Sequence, residues 1–150
     1  MAGNTTPIFS RIGVISGSTI GSVQTFSSGS YTVGSNIFPV FIADATNGAY
    51  VQRVRFAPIS TTAATATTAT VLRVYVSSVS TSGSAATAAN TWLFQEVAAA
   101  AQTPATTTAV AYIEVPLNFA LPPGYAILAN ASTTATANTG WVATVFGGAY

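Results

Sequence analysis

The chain has 150 residues but only seven charged ones, four arginines and three acids, so its formal net charge is +1. The chain contains no cysteine, histidine or lysine. It therefore cannot form disulfides, it lacks the commonest general base, and it has no thiolate or imidazole ligands for a metal. We therefore expect no enzymatic activity, cofactor or metal. Scattered arginines and the lack of a long apolar run also exclude nucleic acid and membranes as partners.

The first ten residues are predicted to form an N-terminal arm, and residues 11–150 one β-domain, because no linker or change of composition divides them. The opening sequence MAGNTTPIFSR lacks the basic start and apolar stretch of a signal peptide. We therefore expect synthesis in the cytoplasm without export.

Ten short segments rich in β-branched and aromatic residues, each bounded by turn formers, are predicted strands. They are Ile8–Ser16, Thr19–Phe26, Tyr31–Val33, Ile37–Ala43, Ala49–Pro58, Ala69–Val79, Trp92–Val97, Val110–Leu117, Tyr125–Ala131 and Trp141–Phe146. Asn47-Gly48 is the clearest tight turn, and Asp44 before it is predicted to be a turn residue. The alanine-rich Val97–Gln102 is the one segment that favours a turn of helix.

Alternation assigns faces to three of these strands. In the fifth, Tyr50, Gln52, Val54 and Phe56 share one face, and Val51, Arg53 and Arg55 the other. In the sixth, Leu72, Val74 and Val76 oppose Val71, Arg73 and Tyr75. In the eighth, Ile113, Val115 and Leu117 oppose Tyr112, Glu114 and Pro116.

So many short strands in one domain predict an all-β fold, either a sandwich or a barrel. Most links between strands are long, which suits connections that cross between two sheets. We therefore predict an antiparallel, jelly-roll-like β-sandwich. Trp92 and Trp141 are assigned to its core rather than to a sugar-stacking surface.

The surface predicts self-association. Strand edges are usually protected by lysine, proline or bulges, yet this chain has no lysine and seven prolines. Uncharged strands of high β-propensity aggregate when they are exposed. We therefore expect a homo-oligomer in which partner subunits cover the edges.

The few charged residues are predicted to pair across strands or subunits, because the planar guanidinium matches a carboxylate. Arg53 and Arg55 share a strand face, and Arg73 lies on the next predicted strand, an antiparallel neighbour if the two form a hairpin. Glu96 and Glu114 are the acids available on later strands. The other interpretation of these charges is an anchoring patch for another protein. Nothing in the sequence places the two glutamates together as a catalytic pair.

Five segments are similar to small structural proteins of tailed bacteriophages: NTTPIF (residues 4–9), ATVLRVYV with Arg73, NTWLFQE ending in Glu96, IEVPLNFALPPGYAI (residues 113–127) and GWVATVFGGAY (residues 140–150). The resemblance spans most of the chain and rests on structural motifs, a Pro-Gly turn and a Gly-Gly-x-Tyr end. Members of that family commonly have an acidic residue before the final tyrosine, where this chain has Ala149.

The resemblance implies a β-sandwich virion component, often trimeric, made in the host cytoplasm and located on the capsid surface. As a capsid decoration or cement protein it would bind the major capsid protein or other virion proteins and stabilise the shell. The alternative is a tail-fibre, spike or adhesin-type module that binds host glycans. The candidate subunit or capsid contacts are Pro7, Ile8, Phe9, Arg11, Arg53, Arg55, Arg73, Glu96 and Glu114.

Overall fold

Eight β-strands make up the fold of this computed structural model, which describes residues 12–20, 38–62, 65–78, 87, 89–105, 107, 109–133 and 135–150. The strands are β1 (Ile12–Ile20), β2 (Phe38–Ile42), β3 (Ala49–Ser60), β4 (Thr70–Ser77), β5 (Thr91–Ala99), β6 (Ile113–Leu121), β7 (Ala126–Ala131) and β8 (Thr139–Ala149). No helix lies in this part of the chain.

The strands form two antiparallel sheets of four strands each. Sheet I has the order β1-β8-β3-β6, and sheet II has the order β2-β7-β4-β5. The chain pairs its first strand with its last, its second with its seventh, its third with its sixth and its fourth with its fifth. The predicted all-β sandwich is confirmed.

The core lies between the two sheets. Its buried side chains are aliphatic and aromatic residues that alternate along the inner faces, among them Val51, Val54, Phe56, Leu72, Val74, Val115, Leu117, Ile127, Trp141 and Val145. Burial of this apolar surface is the main favourable term in folding. Strand β7 is buried on both faces, and Tyr75 beside it is also buried although it lies outside the core cluster.

Several strand boundaries differ from the prediction. Strand β1 runs without a break through Gly17-Ser18, where the sequence predicted two separate strands. Its pairing with β8 along all nine residues outweighs the low β-propensity of glycine. The helical turn predicted at Val97–Gln102 is also wrong, because pairing with β4 extends β5 to Ala99. The predicted strand Tyr31–Val33 and the predicted arm, residues 1–10, lie outside the described residues.

A β-bulge changes the face assignment in β3. The register shifts between Val51 and Arg53 in the pairings with both neighbouring strands. As a result Val51 and Val54 are both fully buried, although strict alternation predicted opposite faces for them. The bulge turns Arg53 and Arg55 to the outer face of sheet I, while the alternation predicted for the sixth and eighth strands places Leu72, Val74 and Val115 correctly inside.

The turn before β3 is built around Asp44, as predicted. Its Oδ1 accepts hydrogen bonds from the backbone N–H groups of Thr46 (2.9 Å) and Asn47 (2.7 Å). Its carbonyl oxygen accepts from Gly48 N–H at 3.1 Å and Gly124 N–H at 3.2 Å, which ties this turn to the turn before β7. Gly48 has a φ of +78°, and a Cβ there would lie 2.5 Å from the Leu121 carbonyl oxygen, so the turn requires glycine.

The Asp44 turn makes stability depend on pH. Backbone hydrogen bonds from Asn47 and then Thr46 favour the carboxylate and lower the pKa of Asp44. A lowered folded-state pKa contributes stability that is fully present above the ordinary value of about 3.9 and is lost as pH falls through the folded pKa. We expect Asp44→Asn to lose less thermal stability than the parent chain between about pH 5.5 and about pH 2.5. Equal losses in melting scans would contradict this assignment.

Candidate interaction surfaces

Two arginines share one glutamate on the outer face of sheet I. Arg55 of β3 donates to Glu114 Oε1 of β6 from Nε (3.0 Å) and Nη2 (2.7 Å). Arg53 Nε lies 3.2 Å from the same oxygen, close enough for ionic attraction but without hydrogen-bond geometry. Arg53 Nη1 instead donates to the Gln52 side chain at 2.7 Å. The cluster carries one more positive than negative charge.

Aromatic rings contact both guanidinium groups. The Arg53 guanidinium carbon lies 4.5 Å from the centre of the Phe146 ring, and that of Arg55 lies 4.3 Å from the centre of the Tyr112 ring. Such cation–π contacts stabilise by about 0.5–1 kcal/mol at exposed sites. The side chains remain about one-third exposed, so each ion pair adds only about 0.2–1 kcal/mol. The cluster is ordered and still accessible to a partner.

A separate ion pair lies on sheet II. Arg73 of β4 and Glu96 of β5 are direct register partners, and Arg73 Nε donates to Glu96 Oε1. Arg73 is largely covered, with 12% of its side chain exposed, whereas 44% of the Glu96 side chain is exposed. Cross-strand pairing of this kind suits a structural role at the centre of the strand.

The structure thus divides the predicted contact residues into two groups. Strands β3 and β4 lie in different sheets, so Arg73 is not a neighbour of Arg53 and Arg55, and the hairpin interpretation is wrong. The two glutamates are likewise apart: Glu114 pairs with Arg53 and Arg55 on sheet I, and Glu96 pairs with Arg73 on sheet II. Pro7, Ile8, Phe9 and Arg11 lie outside the described residues.

One flank of the sandwich exposes aromatic and aliphatic side chains. Here β5, an edge of sheet II, contacts β6, an edge of sheet I. Three consecutive β5 residues are exposed: Trp92 by 48%, Leu93 by 37% and Phe94 by 45%. Phe94 lies 5.2 Å from Phe119 of β6, ring centre to ring centre. The exposure follows from a register shift in the β4–β5 pairing, which leaves Phe94 as an extra residue.

The opposite flank exposes isoleucines. Strands β1 and β2 contact each other there, and Ile12 is exposed by 66%, Ile15 by 71% and Ile42 by 49%. Between the two strands lies an open cleft of about 280 Å³, lined mainly by apolar residues: Val14, Ser16, Pro39, Val40, Phe41 and Ile42. The molecule thus has two different apolar flanks: aromatic rings project from the β5–β6 flank, and a cleft lies in the β1–β2 flank. Large contiguous apolar surfaces mark interaction sites.

A second hollow lies on the outer face of sheet I beside the arginine cluster. This open groove of about 470 Å³ is lined by Gly13, Val14, Ile15, Tyr50, Gln52, Phe146 and Gly147. Tyr50 is oriented by its hydroxyl, which donates to Asn118 Oδ1 at 3.4 Å. Two aromatic rings next to an amide can contact both the apolar and the hydroxyl faces of a small polar ligand.

Sequence reasoning did not identify the apolar flanks. Ile12, Ile15, Ile42, Leu93 and Phe94 are typical core residues by type, and only their position on edge strands exposes them. Trp141 is buried as predicted, but the core assignment of Trp92 is wrong, because Trp92 faces the open flank. The signal that could have been used is the run Trp92-Leu93-Phe94, since three consecutive apolar residues cannot all point into one core.

The chain shows no significant match to any protein-family model, curated protein or solved structure. Within the described ranges, no helix is long and apolar enough to cross a bilayer. The same ranges hold no group of three or more acidic, histidine or cysteine side chains arranged to bind a metal ion.

Proposed function

We propose that this chain is a structural protein of a phage virion, a decoration or cement protein that binds the outer capsid shell as a homo-oligomer and stabilises it. The trimer is the proposed form. The observation that carries the proposal is the pair of apolar flanks: six large side chains (Ile12, Ile15, Ile42, Trp92, Leu93 and Phe94) are exposed on a sandwich that also has a buried apolar core. Such a surface suits a protein that works in permanent contact with others.

The proposed mechanism is mechanical. The antiparallel sandwich pairs its first strand directly with its last. A force applied at one flank is therefore transmitted through the hydrogen-bonded sheets to the other flank. Contacts made by apolar and hydroxyl side chains contain few charges for salt to screen. Apolar area buried against the shell contributes about 25 cal/mol per Å² before the costs of association. That contribution would oppose outward pressure on the capsid.

The arginine cluster supplies a second contact surface in this proposal. Arg53 and Arg55 are held in place by Phe146 and Tyr112, and together with Glu114 they present a net positive charge. An acidic patch on the major capsid protein is the complementary partner. Because arginine can bind two carboxylates at once through its fork, Arg55 can keep Glu114 while it contacts the shell.

Copy number tests the proposal. Quantitative mass spectrometry of purified virions of the phage that encodes this chain should give a number comparable with that of the major capsid protein, whose peptides serve as the internal standard. Chymotrypsin is the suitable protease, because four arginines and no lysine leave few sites for trypsin. Absence from the virion would overturn the proposal, and a handful of copies would move the chain to the tail.

The groove beside Tyr50, Gln52 and Phe146 supports the second candidate, a tail-fibre or adhesin-type module that binds host glycans. Sugar sites combine an aromatic ring with side-chain amides and carboxylates, and this groove supplies the ring and one amide. A glycan array distinguishes the two functions: the recognition module should bind defined glycans and lose them in Tyr50→Ala. A blank array together with a high copy number would exclude it.

A further inference from the structure

The four edge strands of the sandwich are not equally protected. Strands β2 and β6 each contain a proline, Pro39 and Pro116, which has no N–H to offer a new neighbour. Strand β6 is further interrupted by Asn118, whose φ is +54°. Strands β1 and β5 contain no proline, and each is nine residues long, although β5 carries the register shift at Phe94. Among the described strands, β2 and β6 thus each lack a backbone N–H that a new neighbour would need, whereas β1 and β5 keep theirs; we call β1 and β5 the open edges.

The two open edges lie on opposite flanks and in different sheets. Strand β1 is the edge of sheet I beside β2, and β5 is the edge of sheet II beside β6. Ile12 and Ile15 are exposed on β1, and Trp92, Leu93 and Phe94 are exposed on β5. The one acid of β5, Glu96, is already paired with Arg73, so its charge does not repel an approaching strand of another copy.

We infer that the β1 edge of one copy pairs with the β5 edge of the next copy. The inference rests on the proposed homo-oligomer and names its interface. The contact is heterologous, because two different surfaces meet. It joins sheet I of one copy to sheet II of its neighbour in a continuous sheet of eight strands, and it brings the aromatic residues of β5 to the flank that carries the apolar cleft of about 280 Å³.

One kind of contact is then sufficient. Each copy uses its β1 edge once and its β5 edge once, so repeating the contact covers every open edge and closes a ring when the rotation allows it. Pairing β1 with β1 and β5 with β5 would need two different interfaces, and alternating them would give an open chain or a larger closed assembly. The structure favours the first arrangement because it sets the exposed aromatic residues of β5 against the flank with the apolar cleft, whereas like-with-like pairing would set identical side chains against each other.

Lysine substitutions on each edge test the pairing, because lysine is a common natural edge protector. The β1 variant carries Ile12→Lys and Ile15→Lys, and the β5 variant carries Leu93→Lys and Phe94→Lys. All four side chains are exposed, so the fold should survive. A control with Ala57→Lys and Thr144→Lys adds the same charge at partly exposed positions on interior strands of sheet I. Circular dichroism confirms folding, and light scattering gives the mass of the full chain.

The parent chain and the control should be oligomers, and each edge variant should be a monomer of 15.1 kDa. An equimolar mixture of the two edge variants should form a one-to-one dimer, because each retains the edge that the other has lost. Edge variants that remain dimers alone, with no new species on mixing, would show like-with-like pairing and overturn the inference. Edge variants that keep the parent mass would overturn it while leaving the homo-oligomer in place. A monomeric parent chain would overturn the homo-oligomer itself.

Discussion

Gly147→Ala is expected to lower the melting temperature by roughly 6–12 °C, the equivalent of about 3 kcal/mol for a chain of this size. Gly147 lies in β8 between β1 and β3, opposite Val14 and Val51. A Cβ added there would lie 2.3 Å from the Tyr50 carbonyl oxygen and 3.3 Å from the Val51 Cα. Both are backbone atoms held by the sheet, so the strands themselves would have to separate.

The matched control for this variant is Gly13→Ala. Gly13 is also a β-strand glycine of sheet I, but a Cβ there would meet no atom within 4 Å. We expect its unfolding free energy to change by about 0.5 kcal/mol or less. Thermal unfolding of the three proteins under one set of conditions measures both effects. Equal melting temperatures for the two variants would show that β3 and β8 can move apart at little cost in free energy. The close approach of Gly147 to the β3 backbone would then not constrain the fold.

The close approach at Gly147 depends on how β3 and β8 pair, and the sequence alone does not predict this pairing. Alternation and turn residues predicted the sandwich, the Asp44 turn and seven strands close to their observed positions. They could not predict the bulge at Gln52, which depends on how β3 meets β8 and β6 at once. A bulge is a property of a pair of strands, and no pattern within one strand encodes it.

The interaction surfaces, like the fold, could be predicted from the sequence only in part. Arginine–glutamate pairing across strands could be predicted from residue type, but the partners depend on which strands share a sheet, so Arg73 was placed beside the wrong neighbours. The apolar flanks depend on which strands end up at an edge. Ile15 and Phe56 are both large apolar residues, yet Ile15 is 71% exposed and Phe56 is fully buried. That difference arises from topology alone.

Phe56→Ala is the second large effect expected. Phe56 is fully buried on the inner face of β3, and truncation of such a phenylalanine costs about 3–5 kcal/mol because it leaves a cavity in a packed core. The loss should be the same at every protein concentration, since the side chain belongs to the fold of each copy. Denaturant unfolding followed by fluorescence or circular dichroism measures it.

Phe94→Ala provides the comparison that connects stability to function. Phe94 is 45% exposed, and its described ring contact is with Phe119, so the fold of one copy should lose about 0.5–1.5 kcal/mol. Stability that comes from self-association rises with protein concentration. The parent chain and Phe56→Ala should therefore both become more stable as the chain is concentrated, and Phe94→Ala should lose most of that dependence. A dependence that survives unchanged in Phe94→Ala would show that the Phe94 ring makes no contact with a neighbouring copy.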